Sequence, residues 1–522
     1  DIQDPNHWQP LSLDVLIDQS GNLITTTQPH LSPEWGEVNP FALDTASATE
    51  LTRDGVTFNV YFDTLHPAFL DVGDSSAWDS FYKWNHTLVS VWQSHLDPND
   101  GVMWDISPAS TGNNTWYPDP MDSLSYPMFY DLLNGGDPGT GYAVNPITGL
   151  PYTPQMVHRA DYARVLAEFW ADGIDSETPP GHWFEIYHYV TDQPTFVRQW
   201  KGVGPILDPL EYDVKAHLTL GGTVHDAAIA AWGLKGYYDY LRPVSAIRYM
   251  ADQGQSSDTN ELNYNPNGIP LLPGYVEVVQ LGDTLAGQWN EHVGKIKLFT
   301  WRGHEYINDP QVDIAGVGWI LAEEWWPYQR PTFVTPPFAG FVSGHSTFSR
   351  AAAHTMEFMT GSAYFPGGMG EFLAPMNEFL QFEEGPSDTV RLQWATYRDA
   401  SDQCSLSRIW GGIHPPIDDI PGRLIGDVVG PQASLMADSI FSINEAALTF
   451  ASTTDSLITR VDMGSSFDLN FGFSVPMDTS VVPNLTFITP TLATAVAKQG
   501  YYWIDSTELV IVMDALTSSI EI

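Results

Sequence analysis

The rhythm of apolar positions changes twice along the chain, and each stretch predicts a different kind of structure. Residues 1–155 hold only short apolar runs between Pro, Gly, Asp and Asn, as in LLNGGDPGTGYAVNPITGLPYTP. This predicts a loop-rich region packed on a core, with some helix over 78–92. From MVHRADYARVLAEFW onward the spacing turns helical, with Tyr162, Val165, Leu166 and Phe169 on one face. Further helices are predicted at 224–240, 275–300, 316–326, 346–359, 371–382, 392–402 and 417–442, separated by Pro/Gly loops. So many helices describe a mainly α fold, with a helical bundle over 156–452. Near the end, Phe467, Leu469, Phe471, Phe473 and Val475 alternate strictly, and LTFITP and ELVIVMDAL add two more β-type runs. A small β-sandwich-like module at 453–522 is the expectation.

Composition narrows the class. A hydrophobic fraction of 43%, with 19 Trp, 23 Tyr and 25 Phe, excludes disorder. No run of 18 or more apolar residues occurs, so no membrane insertion is expected. The opening DIQDPNHWQP lacks the basic start and apolar stretch of a signal peptide, which implies that any export signal has been removed. Against 64 Asp plus Glu stand 21 Lys plus Arg, a formal charge of −43, which excludes a nucleic-acid binder driven by phosphate attraction. Such acidity suits a secreted or cell-surface setting and equally a plain solubility device. The single cysteine, Cys404, forbids an intramolecular disulfide and leaves histidine and oxygen as metal ligands. Monomer and homodimer both remain open.

Three motifs carry candidate chemistry. In GLKGYYDYLRPVSA, Lys235 and Arg242 lie seven residues apart, about two helical turns, so on one continuous helix both leave the same face. A solvated face would explain such a pair, but the neighbours Trp232, Tyr237, Tyr238, Tyr240 and Leu241 are apolar or aromatic. In PPFAGFVSGHSTFSRAAAHTM, a Pro/Gly loop precedes Ser343, Gly344 and His345 and then a helix opens. Backbone N–H groups at a helix start attract anions, Ser343 adds a hydroxyl, and His345 is placed to exchange protons. A Ser cap with an incidental histidine is the plainer account of that stretch. In CSLSRIWGGIHPPIDDIPGR, Arg408 and His414 flank a Gly turn, and Asp418 follows His414 by four residues, one helical turn if a helix has started. Arginine offers a planar donor fork for tetrahedral oxyanions, and histidine a metal ligand or nucleophile.

Taken together, K-x6-RP at 235–243, SGH at 343–345 and SR-x3-G-x-H-x3-D at 407–418 resemble, in order, the signature motifs of vanadium-dependent haloperoxidases and the related type 2 phosphatidic acid phosphatases. Val342 stands where that family usually has proline, which should loosen the loop slightly. The resemblance implies a helical-bundle haloperoxidase-like core that binds vanadate. Lys235, Arg242 and Arg408 would neutralise the vanadate oxygens, Ser343 and the Gly344 N–H would hydrogen-bond to them, and His414 would bind vanadium. His345 would be the acid-base residue, and Lys235 would polarise the bound peroxide. By the same resemblance Trp232 and Phe338 line a halide pocket, and Asp172 and Asp418 lie behind the arginines and the imidazole. The implied reaction takes hydrogen peroxide and halide (iodide or bromide, possibly chloride) to hypohalous acid, which acts on small organic acceptors. Two other readings stay open: a vanadate-inhibited acid phosphatase with His414 as nucleophile, and a non-catalytic surface or adhesion protein. The stretch FSVPMDTSVVPNLTF resembles bacterial immunoglobulin-like modules of exported surface proteins.

Weaker signals are His182 and Trp183 after Glu177, which can line an entrance channel or simply pack. His225, His304 and His354 lack a second ligand at metal spacing and read as packed or capping residues. DPNDGVMWD and SSDTNELNYNPNG have the oxygen density of a calcium loop without the EF-hand register, so calcium is at most an added cofactor.

Overall fold

The computed structural model describes residues 2, 4–18, 21–24, 28–71, 77–171, 177–442, 448–453, 466–473, 496–505 and 508–515. Contacts divide the chain into two units, Asp1–Ala437 and Asp438–Ile522. The helices among the described residues are α1 (Ala77–Trp92), α2 (Tyr126–Phe129), α3 (Arg159–Phe169), α4 (Pro179–Thr191), α5 (Pro209–Tyr238), α6 (Pro243–Ala251), α7 (Gly344–Thr360), α8 (Tyr397–Trp410) and α9 (Pro416–Ser442). In the first unit they enclose one apolar core that includes the fully buried Trp92, Trp170, Trp183, Trp301 and Trp325.

Local chemistry explains why these helices begin where they do. Asp208 accepts the Leu210 N–H at 2.9 Å, and Pro209 fits the first helical position of α5. Thr396 and Asp399 form a reciprocal capping box at the start of α8. Ser343 caps α7 by accepting from the Ser346 N–H, and Gly361 closes it in the left-handed region.

Two close approaches position the polar centre. Asp226 on α5 accepts the amides of Phe41, Ala42 and Leu43 at 2.6, 2.7 and 3.1 Å, pinning the N-terminal loops to the turn before Trp232 and Lys235. On α9, Gly422, Gly426 and Gly430 recur every four residues and so share one face. A Cβ on them would sit 2.8 Å from Ser343 O, 2.8 Å from Thr347 O and 2.5 Å from Ala351 O. The two backbones therefore touch, and the loop entering α7 rests on the start of α9.

Several predicted helices are strands. Residues 275–300 contain Val276–Val278 and Ile296–Trp301, and residues 316–326 contain Val317–Leu321; together these make a three-stranded antiparallel sheet with Ile296–Trp301 central. The intervening Gly282, Gly287 and Gly294 all adopt positive φ, which no helix interior allows. Residues 371–382 give the strand Gly370–Ala374, stopped by Pro375, and it pairs with Val390–Trp394 where the helix at 392–402 was expected to begin. Short apolar runs of this length fit either period, and the bounding Gly and Pro decide. Lys235 and Arg242 also do not share a helix: α5 ends at Tyr238, Asp239 turns left-handed, and Arg242 caps α6.

In the second unit, Leu448–Thr453, Ser466–Phe473, Glu508–Ala515 and Val496–Asp505 form one antiparallel sheet in that order. The alternating Phe467, Leu469, Phe471 and Phe473 lie on a strand as expected. The second sheet that an immunoglobulin-like sandwich requires is not found among the described residues, and LTFITP lies outside them.

Candidate functional site

Three buried cations from three elements gather around one histidine: Arg242 touches His414, and Lys235 and Arg408 lie near enough for their charges to bear on it. Lys235, in the last turn of α5, is fully buried, and its Nζ donates to Ala339 O and Gly340 O, both at 2.8 Å. Arg242, at the start of α6, donates through Nε to Phe338 O at 2.9 Å and through Nη1 to Ile413 O at 3.0 Å. The same Nη1 lies 3.0 Å from His414 Nε2, while Nη2 is buried and meets no acceptor among the described residues. Arg408, in the last turn of α8, is buried and donates to Trp170 O. Lys235 and Arg242 thus rest on carbonyls and an imidazole rather than on carboxylates.

Arginine can only donate, so His414 Nε2 must be the acceptor of the Arg242 contact. The imidazole proton is therefore on Nδ1, which donates to Asp418 Oδ2 at 2.7 Å across the first turn of α9. Burial, reinforced by the charges of Arg242, Lys235 and Arg408, holds His414 well below its ordinary range and keeps it neutral. Burial pushes Asp418 up to about 8 against the pull of Lys235 and Arg242, and its second oxygen, Oδ1, has no hydrogen-bond partner among the described residues.

The SGH segment faces the same centre. Ser343 N–H donates to Asp418 O at 2.8 Å, and Val342 is fully buried, so the loop is anchored rather than loosened at that position. Gly344 opens α7, and His345 is buried in its first turn, close enough that its charge bears on His414. Trp232 and Phe338 pack 5.0 Å apart. Lys235 Nζ lies 5.6 and 5.2 Å from their ring centres, and Trp232 Nε1 is buried with no hydrogen-bond partner among the described residues.

The donor set fits a multiply charged oxyanion. Burial, against the pull of Asp418, holds Lys235 well below the usual lysine range and Arg242 down at about 9, with repulsion from Arg242 adding at Lys235 and from Arg408 at Arg242. Cations in so dry a place are costly unless an anion joins them, and an unpartnered Arg242 Nη2 is the kind of donor an oxyanion oxygen would take.

Other expectations fall elsewhere. Asp172 lies outside the described residues. Glu177 and His182 line a cavity of about 500 Å³ together with Glu168, Gln329, Arg330 and several Phe residues. Trp183 is buried and donates to Ser349 Oγ at 2.9 Å. His225 and His304 bond to backbone carbonyls and His354 to Asp427. In DPNDGVMWD the carboxylates of Asp97, Asp100 and Asp105 accept backbone amides, and Asp100 also pairs with Arg159.

Sequence reasoning missed His30 and Gln329. Burial, then the charges of Lys235 and Arg242, lower His30, whose neighbour Leu31 bonds to Pro337 O at 3.0 Å. Gln329 Nε2 donates to Gly411 O at 3.1 Å, bracing the turn before His414 and joining it to the 500 Å³ cavity. No local pattern marks either one.

Residues 215–272 and 289–442 match the family model described as the VCPO second helical-bundle domain. No curated protein matches the chain. Among solved structures, the apo form of a bacterial vanadium-dependent chloroperoxidase is similar at 14% identity and a TM-score of 0.47, over 84% of this chain and 63% of that chain. Its holo form gives 13% and 0.45 over 84% and 62%. A bacterial vanadium-dependent iodoperoxidase gives 14% and 0.41 over 83% and 61%. The chain thus spans less than two thirds of the length of each of these proteins.

Proposed function

We propose that this vanadium-haloperoxidase-like chain, with its VCPO-type helical-bundle domain, binds vanadate and oxidises halide with hydrogen peroxide to hypohalous acid. The observation that carries the reading is the set of buried Lys235, Arg242 and Arg408 whose charges all bear on His414, with Arg242 in contact with it and Arg242 Nη2 without an acceptor among the described residues. Bound vanadate would supply a Lewis acid that makes peroxide electrophilic toward halide.

The remaining chemistry belongs to the side chains. Lys235, Arg242 and Arg408 would balance the oxyanion charge, and Ser343 Oγ with the Gly344 N–H would donate to its oxygens. His414 would be the metal ligand through Nε2, with Asp418 holding the proton on Nδ1 and so keeping that lone pair available. His345 would take the proton of incoming peroxide. Trp232 Nε1 and the adjoining Lys235 charge are the donors available to a halide, with Phe338 as the apolar wall. Small organic acceptors would meet the hypohalous acid after its release, and the strong acidity of the chain is consistent with secretion.

Titration of the purified protein with vanadate, followed by turnover of a phenolic dye with peroxide and iodide, bromide or chloride, tests the reading. Halogenation that requires vanadate, with ease falling from iodide to bromide to chloride, is expected. Phosphate-ester hydrolysis abolished by vanadate, with no peroxidase activity, would make the protein a phosphatase instead. Failure to retain vanadate would point to a non-catalytic protein.

A further inference from the structure

A second cavity, of about 670 Å³, is distinct from the oxyanion centre: none of Lys235, Arg242, Ser343, His345, Arg408 or His414 lines it. Its volume suits a small organic ligand. Trp104, Tyr162 and Trp410 form an apolar wall, with ring centres 6.0, 6.1 and 6.2 Å apart. Two of these rings are held in place. Trp410 Nε1 donates to His95 Nδ1 at 3.2 Å, and Gln403 Nε2 donates to Tyr162 OH at 3.3 Å. Gly135 lines the same cavity, and having no side chain it leaves the wall open; a Cβ on it would already lie 3.2 Å from Trp104 and 3.3 Å from Trp410.

The described residues that line this cavity include five aspartates and no Lys, Arg or His. Two of the five are committed within the chain. Asp402 pairs with Arg350 and Arg423, and Asp399 caps α8 and accepts the Asn113 N–H at 2.9 Å. Asp105, Asp131 and Asp137 differ, because among the described residues they form no ion pair and take only neutral donors. These are the amides of Ser107 and Gln155 with the Ser110 hydroxyl at Asp105, the amides of Leu133 and Asn134 at Asp131, and that of Gly139 at Asp137. Burial works against ionisation, yet the donors hold Asp105 and Asp131 below the ordinary carboxylate value, so both are charged at neutral pH.

Neutral donors orient a carboxylate without cancelling its charge, and the faces of aromatic rings are negative too. An anion would be repelled here, and a neutral molecule would use only the rings. A bare metal ion would leave the rings unused, and among the described residues no three acidic, His or Cys side chains are gathered to hold one. A cation with an apolar body satisfies both parts of the lining.

We propose that this cavity is a second binding site, for an arylalkylammonium cation, with its apolar body against Trp104, Tyr162 and Trp410 and its charge toward Asp105, Asp131 and Asp137. The site stands whether or not the chain binds vanadate.

Isothermal titration of the full chain with benzyltrimethylammonium, whose charge does not depend on pH, tests the proposal. One equivalent should bind, and benzyl alcohol (ring without charge) and tetramethylammonium (charge without ring) should each bind at least about 5-fold more weakly. Trp104→Leu, which keeps an apolar side chain, should weaken benzyltrimethylammonium by about 5- to 10-fold. Asp131→Asn keeps the oxygen that accepts the Leu133 and Asn134 amides. It should weaken the same probe by about 2- to 3-fold, the worth of one exposed charge. Asp309→Asn removes an equally exposed carboxylate that does not line the cavity and should change nothing. Absence of binding would overturn the proposal, as would benzyl alcohol binding as tightly as the cation. So would uptake of several equivalents that Trp104→Leu leaves unchanged, or equal losses in Asp131→Asn and Asp309→Asn, since either marks a general attraction to a chain of charge −43.

Discussion

Two clusters of buried arginine sit within a few turns of each other and are built on opposite principles. Between α7 and α9 two arginines meet carboxylates: Arg350 pairs with Asp402 and Asp427, and Arg423 pairs with Asp419 and Asp402 at 2.7 and 2.9 Å. Burial alone would lower their pKa values, yet Asp402 holds Arg350 up and Asp419 holds Arg423 well up. At Lys235 and Arg242 the hydrogen-bond partners are neutral, and burial outweighs the pull of Asp418, lowering both. Among the described residues, one cluster pairs its arginines with carboxylates, while in the other Lys235 and Arg242 form no ion pair and Asp418 acts on them only through its field. Burial of charge is common to both, so the missing counter-charge is what marks a binding site.

The comparison breaks most visibly where the complete cluster is cut. Arg423→Ala would leave Asp419 and Asp402 buried without that cation, a loss of about 3–5 kcal/mol. Denaturant unfolding measures it, and a loss under about 1 kcal/mol would mean that this pairing is not what stabilises α7 against α9.

The two histidines of the incomplete cluster should fail differently. His414→Ala removes the imidazole opposite Arg242, and retention of vanadate should collapse with activity. His345→Ala leaves His414 and the cations in place, so vanadate should stay while turnover falls by about 10²- to 10⁴-fold. Vanadium content and steady-state rates on the two variants check this, and the reverse pattern would exchange their roles.

Arg242→Met sharpens the contrast. Among the described residues no carboxylate forms an ion pair with this arginine, so its removal should leave the unfolding midpoint unchanged or raise it, unlike Arg423→Ala. Vanadate affinity should nevertheless drop by about 10²-fold, because a desolvated charge-assisted donor is lost. A large fall in stability without a fall in affinity would make Arg242 structural.

How much of this was legible depended on where the information sits. Caps and motif residues are local: Ser343 before α7, Asp418 one turn after His414, and the periodic apolar face of α3 could all be read from spacing. Strands such as Ile296–Trp301 and Gly370–Ala374 could not, because a buried six-residue run carries no distinctive period. The convergence of Lys235 and Arg242 was expected, but for the wrong reason. They meet across the left-handed turn at Asp239, not along one helix face. His30 and Gln329 approach the centre only through tertiary packing. The glycine face Gly422, Gly426 and Gly430, though periodic in sequence, gains its meaning from the α7 backbone it touches.

Glu168 supplies the mirror image of the uncompensated cations and the smallest expected effect. It is a buried carboxylate whose partners are neutral: Gln381 N at 2.6 Å, Tyr328 OH at 2.9 Å and Phe382 N at 3.2 Å. Burial pushes its pKa up to about 7, although those three donors pull the other way. In the unfolded chain the same carboxyl loses its proton near the ordinary glutamate value, so between about pH 5 and pH 7 the folded state binds more protons. Stability must then fall as pH rises through that window, by about 2 kcal/mol from this group. Glu168→Gln stays neutral in both states, and its unfolding free energy should lose that slope. Measuring denaturant unfolding of both proteins at pH 5, 6 and 7 isolates the difference. Parallel pH profiles would show that neutral donors alone can hold a buried charge here, and the absence of a counter-ion at Lys235 and Arg242 would then lose its value as a marker.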